Sequence, residues 1–268
     1  MSDRMKPLSE LSHETLATVE GLIFDVDDTL TRDGRLEPVA FAAMHALAEA
    51  GVRLWAITGR PLGWAQVFAA QWPIEGAIGE NGAGWWWREG ARLRRGHFEK
   101  DEAVRDAQQK TLETILHRVR AELPGVKLAS DQPGRAHDLA YDVGESVDLD
   151  DATIEKLVAI IEGEGARSMI SSVHCHAVPG AWTKASGVTR ALAASGVEEF
   201  RLFARWAFIG DSANDAAAFD AFSLSVGVAN VREHLDRIAR PPVWVTEGDR
   251  GVGFAELADR LVRSRANA

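Results

Sequence analysis

Apolar residues fall along the chain in two alternating patterns. Gly21 to Asp25 (GLIFD) is a short run with no polar alternation, as a strand buried on both faces of a parallel sheet requires. Pro38 to Ala50 reads as a helix with Pro in its first turn and Gly51 just past its end, and the apolar run Val52 to Ile57 follows. Strand, helix and strand make a β-α-β unit. Pro61 to Ala70 reads as the next helix, and Gly76 to Gly79 as a third strand before a Glu80-Asn81-Gly82 turn.

The character changes near Gly84. Trp85 to Trp87, the turn-like Glu89-Gly90 and Ala91 to Leu93 predict a hairpin, and Asp101 to Leu123 a long, charged amphipathic helix. Strands at Val126 to Ser130 and Asp138 to Val143, a helix over Asp151 to Glu162 and a strand over Ser168 to Val178 complete an α+β insert. After Pro179-Gly180 the β-α rhythm resumes. It predicts a helix from Lys184 to Ala194, a strand at Trp206 to Gly210, a helix starting near Asn214, strands at Ser223 to Val228 and Val243 to Thr246, and a closing helix over Phe254 to Val262. The expected fold is therefore α/β, a Rossmann-like parallel-sheet core (residues 1–83 and 181–268) interrupted by an α+β cap (84–180).

Composition narrows the functions this fold could carry. With 268 residues and 46% hydrophobic content the chain can bury a full core and a second, smaller domain. A formal charge of −10 argues against a general nucleic-acid binder, although a local pocket could still be positive. Cys175 is the only cysteine, so no intramolecular disulfide or cysteine-based zinc cluster can form, and the cytoplasm is the expected location. No signal-peptide pattern or membrane-length apolar run is apparent, and no membrane partner is expected. Nothing in the sequence fixes an oligomeric state.

The chemistry gathers at predicted strand ends. In Asp25-Val26-Asp27-Asp28-Thr29 two carboxylates stand two residues apart, and strand periodicity points both to one side, with Asp28 elsewhere. Taken alone, the segment could also be a solvated acidic turn capping the next helix, the less favoured of the two readings. Thr58-Gly59-Arg60 offers a hydroxyl, backbone N–H groups and a cation that together could hold a phosphate. Lys184 opens a helix just after the insert, and Gly210-Asp211-Ser212-Ala213-Asn214-Asp215 adds two acids and an amide. In open α/β sheets ligands bind beyond the carboxyl ends of the strands, where all of these fall. Four acids at one sheet edge would be unfavourable without a divalent cation, and oxygen-only ligands favour Mg²⁺ over zinc.

DVDDT, ITGR, Lys184 and GDSAND, in that order, resemble the four motifs of the haloacid dehalogenase superfamily of phosphatases. The long insert, GENGA and the GDxxND form resemble its Cof-type and sugar-phosphate phosphatases with a C2B-type cap. The resemblance implies a Mg²⁺-dependent phosphatase in which Asp25 attacks phosphorus and Asp27 is the general acid and then the base. It also implies Mg²⁺ held by Asp25 and Asp211 through side chains and Asp27 through its carbonyl. Thr58, Gly59, Asn214 and Lys184 would hold the phosphate, and Asp215 would support the metal or Lys184. Thr29 is expected to fix its loop. Small phosphorylated metabolites, sugar phosphates foremost, are the implied substrates. A phosphosugar mutase resembling phosphomannomutases, and a non-catalytic sensor of phosphometabolites, are the alternatives.

Other residues are weaker signals. Arg60, Asn81, Arg135, His174 and His176 are candidates for reading the leaving group, with Asp138 and Asp142 in the same cap segments; ordinary surface or hydrogen-bonded roles compete for each. The tryptophan run could stack on a sugar, but hairpin residues more often pack inward. Gly248 to Gly253 imitates a dinucleotide loop with the wrong glycine spacing, and there is no P-loop.

Overall fold

The computed structural model describes residues 5–170 and 173–266. Its main sheet has nine strands, in the order Lys6–Pro7, Trp244–Val245, Leu224–Gly227, Trp206–Gly210, Gly21–Asp25, Arg53–Ile57, Gly76–Gly79, Gly84–Glu89 and Arg92–His97. The first seven run parallel, and the last two turn back as an antiparallel hairpin. Gly21–Asp25 lies at the centre and is buried along its whole length, as its unbroken apolar run requires. One face of the sheet packs on the helices Pro38–Glu49, Leu62–Gln71 and Arg250–Ala266, and the other on Lys184–Ala194, Glu199–Arg205 and Ala216–Ala221.

The Gly84–His97 hairpin corrects the expected boundary at residue 84. Trp85, Trp86 and Trp87 pair with Ile78, Ala77 and Gly76, so the hairpin widens the main sheet and the separate insert begins after His97. Packing explains the assignment: Trp85 is buried against the Ile57 and Ile78 face, and a Cβ on Gly96 would lie 2.3 Å from its indole. The tryptophan run is thus largely structural.

The insert proper is a three-stranded antiparallel sheet, Arg167–Ile170, His174–Val178 and Leu139–Asp142, backed by the helices Glu102–Glu122 and Asp151–Gly163. Its core gathers Ile115, Val119, Leu157 and Ile161 under Tyr141, Cys175 and Ala177. The expected single strand over Ser168 to Val178 is two paired antiparallel strands, Arg167–Ile170 and His174–Val178; residues 171–172 lie outside the described residues. The expected strand at Val126 to Ser130 is reduced to one bridge, Leu128 to Tyr141. Because side chains alternate along a strand, the burial of Cys175 and Ala177 under the helices sends His174 and His176 to the opposite face. That face looks back at the main sheet.

Candidate active site

Asp25 ends the central strand, Thr58 follows the Arg53–Ile57 strand and Asp211 follows Trp206–Gly210, so three adjacent parallel strands deliver their terminal residues to one edge. Thr183 caps the Lys184–Ala194 helix through a reciprocal bond with Ser186, which fixes Lys184 at its first position. There Lys184 Nζ donates to Asp25 Oδ1 at 2.7 Å and to Asp215 Oδ1 at 2.6 Å, with all three side chains almost fully buried. The other Asp215 oxygen accepts from the Asp211 and Ser212 N–H groups. Asp215 is therefore committed on both oxygens, to the lysine and to the loop. Thr29, expected to fix its loop, instead donates its hydroxyl to Asp211 Oδ1 across 182 residues of sequence.

These carboxylates are short of positive charge. Asp25, Asp211 and Asp215 present oxygens within 4.8 Å of one another, and only Lys184 is paired with them among the described residues. Burial, partly offset by Lys184 and reinforced by Asp215 and Asp27, pushes the Asp25 pKa up to about 7. Burial and the charges of Asp25 and Asp215 raise Asp211 well above the usual carboxylate range. Burial works against the Lys184 charge, but Asp215 and Asp25 outweigh it and hold its pKa up. All-oxygen donors with excess negative charge suit a hard divalent cation, and this group could hold a metal ion.

Asp27 is more open. Its carboxylate accepts from the Thr58 hydroxyl at 3.2 Å and from Arg60 Nε at 3.0 Å. Asp28, turned away by a left-handed backbone (φ 53°), pairs with Arg250 instead. Arg250 and Asp249 thus tie the loop after Asp25 to the last helix, which is the actual part played by the false dinucleotide loop. Asn214 accepts from the Ser212 hydroxyl and lines the cavity.

A cavity of about 520 Å³ separates this edge from the insert. Asp25, Asp27 and Asp211 lie on its core side and Glu145, His174 and His176 on the insert side. His174 meets Glu145 at 3.1 Å and His176 Nδ1 meets Asp138 at 2.9 Å. Arg60 and Asn81 also line the cavity, but Arg135 does not. Its guanidinium is fully buried between Asp131 and Asp138 and donates to the Gly59 carbonyl at 3.0 Å. The expectation that Arg135 contacts a leaving group is therefore corrected: its donors are consumed in bracing the insert against the Thr58–Arg60 loop. Asp142 is likewise spent, on the turn at Glu145 and Ser146.

Glu80 escaped the sequence reading. Its buried carboxylate accepts from the N–H groups of Leu62, Ala136, His137 and Asp138, joining core to insert. Burial and the nearby Asp138 push its pKa up to about 8 against the pull of those amides. Beside it, His97 Nδ1 and His137 Nε2 lie 3.0 Å apart where the chain leaves the hairpin. Burial holds His137 down at about 4 and lowers His97 as well, which disfavours a charge on this pair. The glutamate of GENGA was the one available signal.

Residues 22–116 match the family model described as haloacid dehalogenase-like hydrolase. No curated protein matches the sequence. Among solved structures, a Thermoplasma acidophilum protein is similar with a TM-score of 0.69 at 17% identity, over 91% of this chain and 98% of that one. The sucrose-phosphatase of Synechocystis, solved with sucrose and phosphate, gives 0.64 at 17% identity over 91% and 98%. The C-terminal domain of Candida albicans trehalose-6-phosphate phosphatase gives 0.65 at 14% over 98% and 99%. At these identities the likeness is one of fold, and it extends across core and insert alike. No helix among the described residues is long and apolar enough to cross a membrane.

Proposed function

We propose that this protein is a haloacid dehalogenase-like hydrolase, a Mg²⁺-dependent phosphatase of small phosphorylated metabolites, sugar phosphates foremost, acting through a phosphoester on Asp25. The observation that carries the reading is the buried Asp25 carboxylate, held by Lys184 on one oxygen at the floor of a closed-in cavity, with Asp27 beside it. A nucleophile fixed in this way meets phosphorus without reorganising. Asp25 forms the new P–O bond as the ester oxygen leaves, and Asp27 gives that oxygen its proton. Asp27 then takes a proton from the water that attacks the phosphoaspartate, which releases phosphate and restores Asp25.

Lys184 neutralises phosphoryl charge, Thr58, the Gly59 N–H and Asn214 hold the phosphate oxygens, and Asp215 keeps Lys184 and the Asp211 loop in place. Asp25 and Asp211, with the Asp27 carbonyl, are the residues that would hold Mg²⁺; Asp215 is the less available ligand because both its oxygens are engaged. Bound there, the ion supplies charge neutralisation for the phosphoryl group.

The domain division follows the same reading, with the core at 1–97 and about 181–268 and the cap between them. A cap that roofs the cavity suits a metabolite better than a protein, and His176, whose Nδ1 is held by Asp138, offers its other ring nitrogen to hydroxylated leaving groups, with His174 beside it on the same wall. The named phosphatases of sucrose and trehalose-6-phosphate that share the fold agree with this substrate class. The test is hydrolysis of a panel of phosphorylated metabolites with and without chelator, scored for both free phosphate and isomerised sugar phosphate. Mg²⁺-dependent phosphate release is expected, and full activity in excess chelator would overturn the metal assignment.

A further inference from the structure

The Glu80–Gly82 turn has the most unusual backbone in the protein and takes no part in the four motif segments. Glu80, Asn81 and Gly82 are three consecutive residues with positive φ, at 49°, 55° and 114°. Glycine adopts such angles freely, but Glu and Asn do so at a cost, and strain of this kind persists only where the surroundings enforce it. Here they do. Glu80 is held by four backbone N–H groups, and the Asn81 N–H donates to the Thr58 carbonyl at 3.0 Å. Gly82 lies so close to the Lys184 helix that a Cβ would sit 2.5 Å from the Thr183 carbonyl oxygen.

All this fixes the Asn81 side chain. It is 2% exposed, lines the cavity and stands against Gly59, where a Cβ would come within 3.2 Å of its amide nitrogen. The need for glycine at position 59 thus comes partly from Asn81. Its Oδ1 is buried with no hydrogen-bond partner, and among the described residues its NH₂ has none either. The NH₂ donor of such a carboxamide is left unmet unless something else accepts from it. Its location beside the Thr58–Gly59 backbone, on the wall that also presents Asp25, indicates what does.

We propose that Asn81 is a further substrate-binding residue of the phosphatase, whose NH₂ donates a hydrogen bond to an oxygen of the phosphoryl group alongside the Gly59 N–H. Glu80 is a positioning residue that holds the strained turn and ties it to the cap segment 136–138. The proposal rests on the phosphatase reading, so its test includes a readout that needs no turnover. Affinity for inorganic phosphate in the presence of Mg²⁺ is measured by calorimetry for the full chain and for Asn81→Gly and Asn81→Asp. Alongside it run kcat/KM for a sugar phosphate and for p-nitrophenyl phosphate, and Tm.

Loss of one hydrogen bond to a charged group corresponds to roughly a tenfold to hundredfold effect. Asn81→Gly, which also removes the left-handed strain, should keep or raise Tm while phosphate affinity and both kcat/KM values fall by a similar factor in that range. Asn81→Asp, nearly isosteric but anionic, should fall further. A merely structural Asn81 would give the reverse, with wild-type phosphate affinity in either variant, and that overturns the proposal. A loss confined to the sugar phosphate would place the contact on the leaving group and overturn it equally. If the wild-type protein binds phosphate in an Asn81-dependent way yet hydrolyses no monoester, the inference stands and the phosphatase reading fails.

Discussion

Two buried charge clusters, one lining the cavity and one inside the insert, are in opposite condition. On the core side three carboxylates, Asp25, Asp211 and Asp215, crowd together with one lysine, which pairs with Asp25 and Asp215. On the cap side Arg135 is clasped by Asp131 and Asp138, Asp131 is also met by Arg60, and Asp138 takes the His176 ring as well. The same kinds of group therefore titrate in opposite directions. Burial raises Asp25 and Asp211, whereas at Asp138 the effect of burial is overcome by Arg135 and His176 and the pKa is lowered. A balanced buried cluster braces a structure. One left with excess charge is waiting for a ligand.

The sharpest way to break this contrast is to neutralise one group on each side. Asp25→Asn keeps the shape but removes the proposed nucleophile, so turnover should fall by at least ~10³, measured as phosphate release at saturating substrate. Because it relieves crowded negative charge, it should not lower the Tm of the metal-free protein. Arg135→Met acts in the opposite way. It strands two buried carboxylates, at a cost of about 3–5 kcal/mol, and should show as a large drop in Tm by calorimetry.

Metal should act on one cluster alone. Mg²⁺ at about a hundred times its Kd should stabilise the wild-type protein by about 2.7 kcal/mol in thermal unfolding, and Asp211→Asn should lose most of that gain. Equal stabilisation of the variant would remove Asp211 from the metal site.

The smallest expected effect is on pH dependence in excess chelator. The folded-state pKa of Asp25 is raised, so its contribution is fully present below about pH 4, its unfolded range, and is lost as pH rises towards 7; Asp211 works in the same sense. Asp138, being lowered, contributes above that unfolded range and loses its contribution as pH falls through its folded value. Metal-free stability should therefore decline between about pH 4 and 7, and Mg²⁺ should flatten the decline. A metal-free curve that rises steadily over this window would mean that the core cluster is better balanced than its geometry indicates.

The core cluster could be read from the sequence and the cap cluster could not, for a physical reason. Asp25, Asp27, Thr58, Asp211 and Lys184 each stand at the end of a local apolar or helical pattern, so periodicity located them before any packing was known. Arg135, Asp131 and Glu80 owe their roles to partners on other elements, and Arg135 in particular looked like any polar cap residue until its donors were accounted for. Sheet membership failed in the same way. The Gly84–His97 hairpin is plain in sequence, but nothing local says that Trp85 pairs with Ile78 and that the hairpin stays with the core. That His174 and His176 share one strand face, by contrast, follows from a two-residue period, which is local information.

The hydrogen bond from Thr29 to Asp211 has a consequence for how the chain comes together. It joins residues 182 apart, and the Gly21–Asp25 strand pairs on that side with Trp206–Gly210, which comes after the whole insert. Loops of this length close slowly, and chains rich in such contacts fold slowly. During synthesis the Gly21–Asp25 strand must therefore wait with one edge unpaired until the last quarter of the chain emerges, and the three crowded carboxylates meet only then. A folding intermediate that lacks the C-terminal strands would carry a complete cap over an unfinished floor, with an exposed apolar edge that invites association with other chains.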